Sequence, residues 1–93
     1  MSVVILGGND CMVRRYKEIC KTNGCRAKVF THMERDLRRR VGNPDLIVLF
    51  TATASHQLAA CAAEGAKQSG SALEFCHTSS ANALQNVLRQ YTN

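Results

Sequence analysis

Three histidines are the residues of this chain best suited to metal-ligand or proton-transfer chemistry. His32, His56 and His77 each follow a short apolar segment, and the sequence has no other histidine. A neutral imidazole can bind a metal or exchange a proton near neutral pH. If the apolar segments are parallel strands, all three histidines lie at the end of the sheet where α/β proteins bind ligands. For each histidine singly, a capping or solvent-exposed role is the competing interpretation.

His56 has the strongest individual case. It should begin a helix directly after residues 46–50, the most continuously apolar segment of the chain. A helix N-terminus favours the neutral imidazole, which leaves a ring nitrogen available to a metal. Thr51, Thr53 and Ser55 precede it and could orient the ring. We therefore predict a site at this junction of strand and helix.

His77 is the second choice as a metal ligand. It lies in residues 76–80, a segment that could offer hydroxyls and helix amides to an anion. His32 lies between Thr31 and Glu34, whose spacing is typical of a capping box at the start of a helix. We therefore expect a short basic helix after residue 31. Its inward residues are predicted to be Met33, Leu37 and Val41.

The loop after the first apolar segment favours no standard phosphate site. Residues 7–10 read Gly-Gly-Asn-Asp, which is neither a Gly-x-Gly-x-x-Gly sequence nor a P-loop. Cys11 resembles the nucleophile of a thiol phosphatase, but Lys17 stands where a Cys-x5-Arg loop needs arginine. A phosphoaspartate receiver is excluded, because residues 50–51 are Phe-Thr where an aspartate is required.

Four strand-helix units position these residues. The apolar segments predict strands at residues 3–6, 27–30, 46–50 and 73–76. The clearest helix is the last, with inward residues Leu84, Val87, Leu88 and Tyr91. The first and third strands are apolar throughout and should be central, whereas the second and fourth alternate and should be edges. The sequence therefore predicts one α/β domain over residues 1–93, a minimal Rossmann/flavodoxin-like (βα)4 fold with a parallel sheet of order 2-1-3-4.

The charge distribution indicates an anionic partner. The formal net charge is +5, and the excess is concentrated in residues 14–17 and 35–40. Phosphate or the carboxylates of a cofactor would suit these clusters, although a solvated helix face is the simpler interpretation. There are two tyrosines, three phenylalanines and no tryptophan, which argues against a base-stacking nucleic-acid surface.

Cysteine usage and hydropathy indicate the cytoplasm. Five cysteines form an odd set without a Cys-x-x-Cys pair, which favours reduced and mostly buried thiols over disulfides or a zinc site. The apolar segment at residues 3–6 is too short for a signal peptide, and no segment is long enough to span a membrane.

Several segments together resemble the bacterial family known as domain of unknown function 2325. They are the Gly-Gly start at residues 3–8, the helix at 16–20, the strand at 24–31, the Asp-Leu-Ile-Val strand at 42–51, Ser55-His56, and residues 76–80. The resemblance runs nearly end to end. It implies a small α/β protein that binds haem b through histidine and performs oxygen-dependent chemistry on a small, tryptophan-like aromatic substrate.

Within that resemblance, Ser55-His56 matches a recurrent Ser-His pair, so His56 is the expected axial ligand of the haem iron and His77 the second choice. Arginines could pair with the haem propionates. The residues expected at the cofactor are His56, Ser55, Thr51, Gly8, Arg14, Arg38 and Arg39.

A haem is large for a domain of 93 residues, so we expect a homodimer, with exchange of an element between protomers left open. The alternative function is a non-enzymatic module that senses a nucleotide, an anion or another ligand. A third hypothesis is a phosphoryl carrier that uses Cys11.

Overall fold

The computed structural model describes residues 1–92 and contains four strands, four α-helices and one 3-10 turn. In chain order they are β1 (Ser2–Leu6), the 3-10 turn (Asp10–Met12), α1 (Val13–Thr22), β2 (Arg26–Phe30), α2 (Leu37–Val41), β3 (Leu46–Phe50), α3 (His56–Ser69), β4 (Ala72–Cys76) and α4 (Ala81–Thr92).

The four strands form one parallel sheet of order β2-β1-β3-β4. This confirms the predicted α/β fold, the sheet order and the assignment of β1 and β3 as central strands. All five side chains of β3 are buried, as are Val3 to Leu6 of β1. A strand covered on both faces has no solvent side, which is why these two segments lack the polar alternation of an edge strand.

Alternation along β1 and β3 divides the core into two layers. Val3, Ile5 and Phe50 pack with residues of α1 and α4, whereas Val4 and Leu49 pack with residues of α2 and α3. Successive side chains of a strand point to opposite faces, so each strand supplies both layers. The helix pairs α1/α4 and α2/α3 therefore lie on opposite faces of the sheet.

The predicted capping box at Thr31 is wrong. The Thr31 hydroxyl donates to the carboxylate of Asp10 and not to a helix amide. The helix begins six residues later at Leu37, after Asp36, which has the left-handed φ of 59°. Glu34 forms an ion pair with Arg40 instead of reaching back to Thr31. Asp10, which is distant in sequence, therefore replaces the helix amide as the hydrogen-bond partner of Thr31. The helix α2 is only five residues long.

Some predicted inward residues are also exposed. Leu37 and Val41 are buried as expected, but Met33 precedes α2 and is 42% exposed. In the last unit Leu84, Val87 and Leu88 are buried, whereas Tyr91 is exposed. Phe75, in strand β4, is the most exposed large apolar side chain of the described chain at 63%. None of the helices between residues 1 and 92 combines the length and apolar character that crossing a bilayer requires.

Gly65 in α3 and Gly70, directly after its end, should respond oppositely to substitution by alanine. A Cβ at the buried Gly65 would meet Ile47 Cδ1 at 3.5 Å, an ordinary contact. We expect Gly65→Ala to raise the free energy of unfolding by about 0.5–1 kcal/mol, because alanine restricts the unfolded chain and favours the helix. The matched change Gly70→Ala, at the helix end with φ of 71°, should lower it by about 1 kcal/mol. Urea unfolding measures both, and a destabilised Gly65→Ala variant would contradict this packing.

Candidate functional site

The loops that follow the four strands meet at one end of the sheet, which we call the carboxyl rim (residues 7–10, 31–32, 51–56 and 77–80). The amide of Gly8 donates to Thr53 Oγ1 at 2.7 Å, and the amide of Gly7 donates to the carbonyl of Phe30 at 2.9 Å. The Thr51 amide donates to the Cys76 carbonyl at 2.9 Å. These bonds connect all four loops to their neighbours, so the rim is an organised surface.

The buried side chain of Tyr16 contacts both the first and the last loop of the rim. Its hydroxyl donates to the carbonyl of Ser79 at 2.7 Å, and its ring lies 5.2 Å from that of Phe50, centroid to centroid. The side chain is fully buried. A Cβ at Gly8 would lie 2.7 Å from Tyr16 Cε2, and Gly8 has a φ of 89°. Only glycine fits both constraints without rearrangement.

Asp10 organises the corner between β1 and β2. Thr31 donates to one carboxylate oxygen, and His32 Nε2 lies 3.0 Å from the other. These two hydrogen bonds, with that from Thr31 the stronger cause, hold the pKa of Asp10 below its ordinary value. His32 is therefore the one histidine of the rim whose Nε2 has a partner among residues 1–92.

His56 is presented to solvent by the first turn of α3. Ser55 is the N-cap of that helix, and its hydroxyl accepts a hydrogen bond from the Leu58 amide at 3.1 Å. The predicted helix start is thus confirmed. The imidazole of His56 is exposed and has no hydrogen-bond partner within the part of the chain that the structure describes. His77 is also exposed, and it follows the edge strand β4.

A groove of about 480 Å³ lies between α2 and α3, and Gln57, the residue after His56, is part of its lining. We call it the α2–α3 groove. It is lined by Met33, Arg38, Gln57, Ala60, Cys61 and Glu64. Ala60 lies four residues after His56 and therefore on the same side of α3. Burial raises the pKa of the Cys61 thiol, so the thiol stays neutral in the wall. The groove thus combines apolar walls with three polar side chains, those of Arg38, Gln57 and Glu64.

The predicted propionate-binding arginines do not share a surface. Arg38 lies in the α2–α3 groove, donates to Gln68 Oε1, and has a buried Nε with no partner among the described residues. Arg39 is exposed on the same helix. Arg14 is exposed on α1, across the sheet. Gly8 and Thr51 lie in the rim, where the Gly8 amide is already bonded to Thr53.

A second groove, the α1 groove, runs along the outer side of α1 with a volume of about 520 Å³. Three cationic residues flank it, and Cys11 is the one exposed cysteine of the five, all of which are free thiols. Its lining residues are Asp10, Cys11, Val13, Arg14, Lys17, Glu18 and Lys21. The basic residues were visible as a cluster in the sequence, but the groove between them was not.

The sequence interpretation missed the residues that fix the rim. Tyr16 is not among the residues predicted for the site, and its hydroxyl bond to Ser79 crosses 63 positions of sequence. Thr53 was expected to orient His56, but its hydroxyl accepts from Gly8. A tyrosine on a wholly inward helix face was the available signal, because a buried hydroxyl needs a partner.

A family model described as "Uncharacterized protein conserved in bacteria (DUF2325)" matches residues 2–91 of the chain. Searches of the curated proteins and of the solved structures find no match. The matched range includes all four strands and the complete carboxyl rim with His56.

Removal of the Tyr16 hydroxyl should loosen the rim without disturbing the core. We expect Tyr16→Phe to lower the free energy of unfolding by about 1–2 kcal/mol, because it leaves the Ser79 carbonyl without its donor. The matched change Tyr91→Phe removes an exposed hydroxyl that donates to Glu74 and should cost less than about 0.5 kcal/mol. Equal effects in thermal unfolding would contradict the role given to Tyr16.

Proposed function

The chain belongs to the bacterial family DUF2325, and from that premise we propose that it binds haem b through His56 and uses it in oxygen-dependent chemistry. The substrate we propose is a small aromatic molecule resembling tryptophan. The observation that most supports this proposal is the exposed imidazole of His56, one residue before Gln57 in the lining of the α2–α3 groove. A cytoplasmic location is part of the proposal and agrees with five free thiols.

The donor chemistry suits haem iron. A haem needs only one or two protein ligands, and a neutral imidazole is a common axial ligand. His56 is held by a capped helix turn and has no competing hydrogen bond among residues 1–92. His32 is less suitable, because its Nε2 faces Asp10 at 3.0 Å. His77 remains the second choice, since it is also exposed but follows the edge strand β4, away from the residues that line the α2–α3 groove.

The groove beside His56 suits one edge of a macrocycle. Met33, Ala60 and the neutral Cys61 supply apolar contact, and Arg38 supplies a guanidinium for a propionate. Glu64 lines the same groove, so its carboxylate restricts the propionate to the side of Arg38. Arg39 is the next cation on the same helix, whereas Arg14 lies across the sheet and would serve a different anion. When bound, haem would supply an iron centre able to bind oxygen. The chain's own residues would hold the ring and neutralise its carboxylates.

The groove is open, so one protomer would leave much of a haem in water. We therefore include a homodimer in the proposal, since a second copy adds apolar cover that a chain of this size lacks. An exposed imidazole and an open groove are expected of a single protomer if a second copy completes the site.

The α1 groove favours a second candidate function, a non-enzymatic module that senses an anion or a nucleotide. Arg14, Lys17 and Lys21 flank this groove, and none of the three forms an ion pair with any described residue. A colourless protein whose NMR signals for α1 shift with inorganic phosphate or ATP, in a salt-dependent manner, would support this candidate over the haem protein.

The haem assignment predicts a difference between two exposed histidines. Wild-type protein reconstituted with haemin should show a Soret band, and His56→Ala should weaken haem binding by at least about tenfold, because the iron loses its imidazole. The position of the Soret band reports which group binds the iron, and added free imidazole should restore the wild-type position in the His56→Ala variant. His32→Ala is the matched control and should leave the spectrum unchanged.

A wild-type protein without a Soret band would contradict the haem function itself. An unchanged spectrum in His56→Ala, with a changed one in His77→Ala, would transfer the ligand role to His77. Oxygen uptake with tryptophan by the haem-loaded wild type, absent in His56→Ala, is the result expected of the proposed enzyme.

A further inference from the structure

Positive charge is concentrated on one side of the molecule. Residues 14–40 contain ten of the twelve lysines and arginines but three of the seven carboxylates, so this segment has a formal charge of +7 and the rest of the chain −2. The segment covers nearly all of α1 and α2 and the whole of the edge strand β2. Because α1 and α2 lie on opposite faces of the sheet, these cations surround its β2 edge. Such an asymmetry of charge is typical of a protein that binds a polyanion.

Three adjoining grooves connect these cations into one surface. Lys17 lines both the α1 groove and a groove of about 390 Å³ along residues 27–30. Lys28 lines that second groove and a third one of about 280 Å³, which begins at Ser2. We call the cations that line the three grooves the β2 basic surface. They are Arg14, Lys17, Lys21, Arg26, Lys28 and Arg40.

Most of the charge on the β2 basic surface is available to a ligand. Arg40 forms an ion pair with Glu34, but the other five cations form no ion pair with any residue between 1 and 92. The ammonium group of Lys28 donates to the carbonyl of Arg40 at 3.0 Å, which positions the charge without neutralising it. Of the two carboxylates that line the α1 groove, Glu18 pairs with Arg15 at 3.8 Å and Asp10 accepts from Thr31.

The five unpaired cations form two rows. Arg14, Lys17 and Lys21 are three and four residues apart, so they lie on one side of α1 over about 10 Å. Arg26 and Lys28 are alternate residues of β2, so they lie on one side of the strand about 7 Å apart. A single phosphate or carboxylate reaches only part of one row. A ligand that contacts both rows must carry several negative charges along its length.

The β2 basic surface lacks the apolar anchors of a protein or membrane interface. The large apolar side chains that residues 1–92 expose are Met1, Met33, Phe75 and Tyr91, and none of the four lines these three grooves. Binding between proteins usually depends on aromatic or apolar anchors, and binding to a membrane surface on inserted apolar side chains. Interfaces with nucleic acid are more polar and more positively charged. The surface therefore fits nucleic acid better than an acidic protein or a lipid headgroup layer.

The aromatic residues of the segment favour a double strand over a single strand. Tyr16 and Phe30 are both buried, so neither can stack on a base. Binding of single strands relies on such stacking. A duplex, by contrast, can be held through its phosphates alone, because its bases are already paired and stacked. The scarcity of aromatic residues thus argues against base stacking but not against contact with a duplex backbone.

We propose that the β2 basic surface binds the phosphate backbone of double-stranded nucleic acid without reading its sequence. The lysines and arginines of α1 and β2 contact phosphates, and binding releases the counterions that the phosphates had condensed. His56 and the α2–α3 groove are not part of this surface. The proposal therefore goes beyond the haem function, and haem-free protein tests it.

Fluorescence anisotropy with a labelled DNA duplex of about 20 base pairs measures the binding. We expect a dissociation constant of about 10⁻⁶ to 10⁻⁴ M that is independent of base sequence. The logarithm of the binding constant should fall with the logarithm of the salt concentration with a slope of about −4, because four or five cations neutralise phosphates. A wild-type protein without salt-dependent binding would overturn the proposal.

Two double variants locate the binding on the surface. Lys17→Gln with Lys28→Gln should weaken binding by at least about tenfold at low salt and make the slope shallower by about 2, because each lysine contributes one phosphate contact. The matched control, Lys67→Gln with Arg89→Gln, removes the same net charge from α3 and α4 and should stay within about twofold of the wild type. Circular dichroism should show both proteins folded, since all four side chains are exposed.

Equal losses in the two double variants would show attraction by net charge alone and would overturn the assigned surface. Two competitors test the kind of partner. A single strand of the same length that bound more tightly than the duplex would contradict backbone binding without stacking. Displacement of the duplex by poly-glutamate at equal charge concentration would assign the surface to an acidic protein instead.

Discussion

The burial of β1 and β3 on both faces is the constraint on which the rest of the structure depends. Every side chain of β3 is buried, and four of the five in β1 are buried as well. Two such strands can be satisfied only at the centre of a sheet with helices on each side. The alternating strands β2 and β4 then take the two edges, in the order β2-β1-β3-β4, and parallel pairing brings all four strand-to-helix loops to one end.

The same burial separates the charged helices. Because successive residues of β1 and β3 supply opposite layers, α1 and α2 cover different faces of the sheet. The α1 cluster faces its own groove, while Arg38 contacts α3 through Gln68. The two clusters meet only at the β2 edge, where Lys17 and Arg40 line one groove. Two clusters that look equivalent in the sequence thus face separate grooves on the two sides of the sheet and share one at its edge.

Sequence reasoning predicted the features that depend on nearest neighbours in the chain. The strand order followed from apolar content, and α3 begins at His56 as predicted, although Ser55 caps this helix instead of orienting the imidazole. Sequence reasoning failed where a residue distant in the chain competes with a neighbouring one for the same hydrogen bond. Thr31 has the spacing of an N-cap residue, yet its hydroxyl donates to Asp10, which lies 21 residues earlier. The hydroxyl bond of Tyr16 and the α2–α3 groove depend on tertiary contacts in the same way. Whether His56 binds haem stays a prediction.

The failed capping box explains why there is a groove at all. Had the helix begun at residue 32, it would have covered the face of the sheet beside α3 with nearly three turns. Asp36 in the left-handed region delays the helix to Leu37, and Gly42 ends it after Val41. A helix of five residues leaves Met33 outside the core, where it lines the groove together with Ala60 and Cys61. The Thr31 hydroxyl therefore donates to Asp10 in the rim instead of capping a helix, and α2 begins only at Leu37.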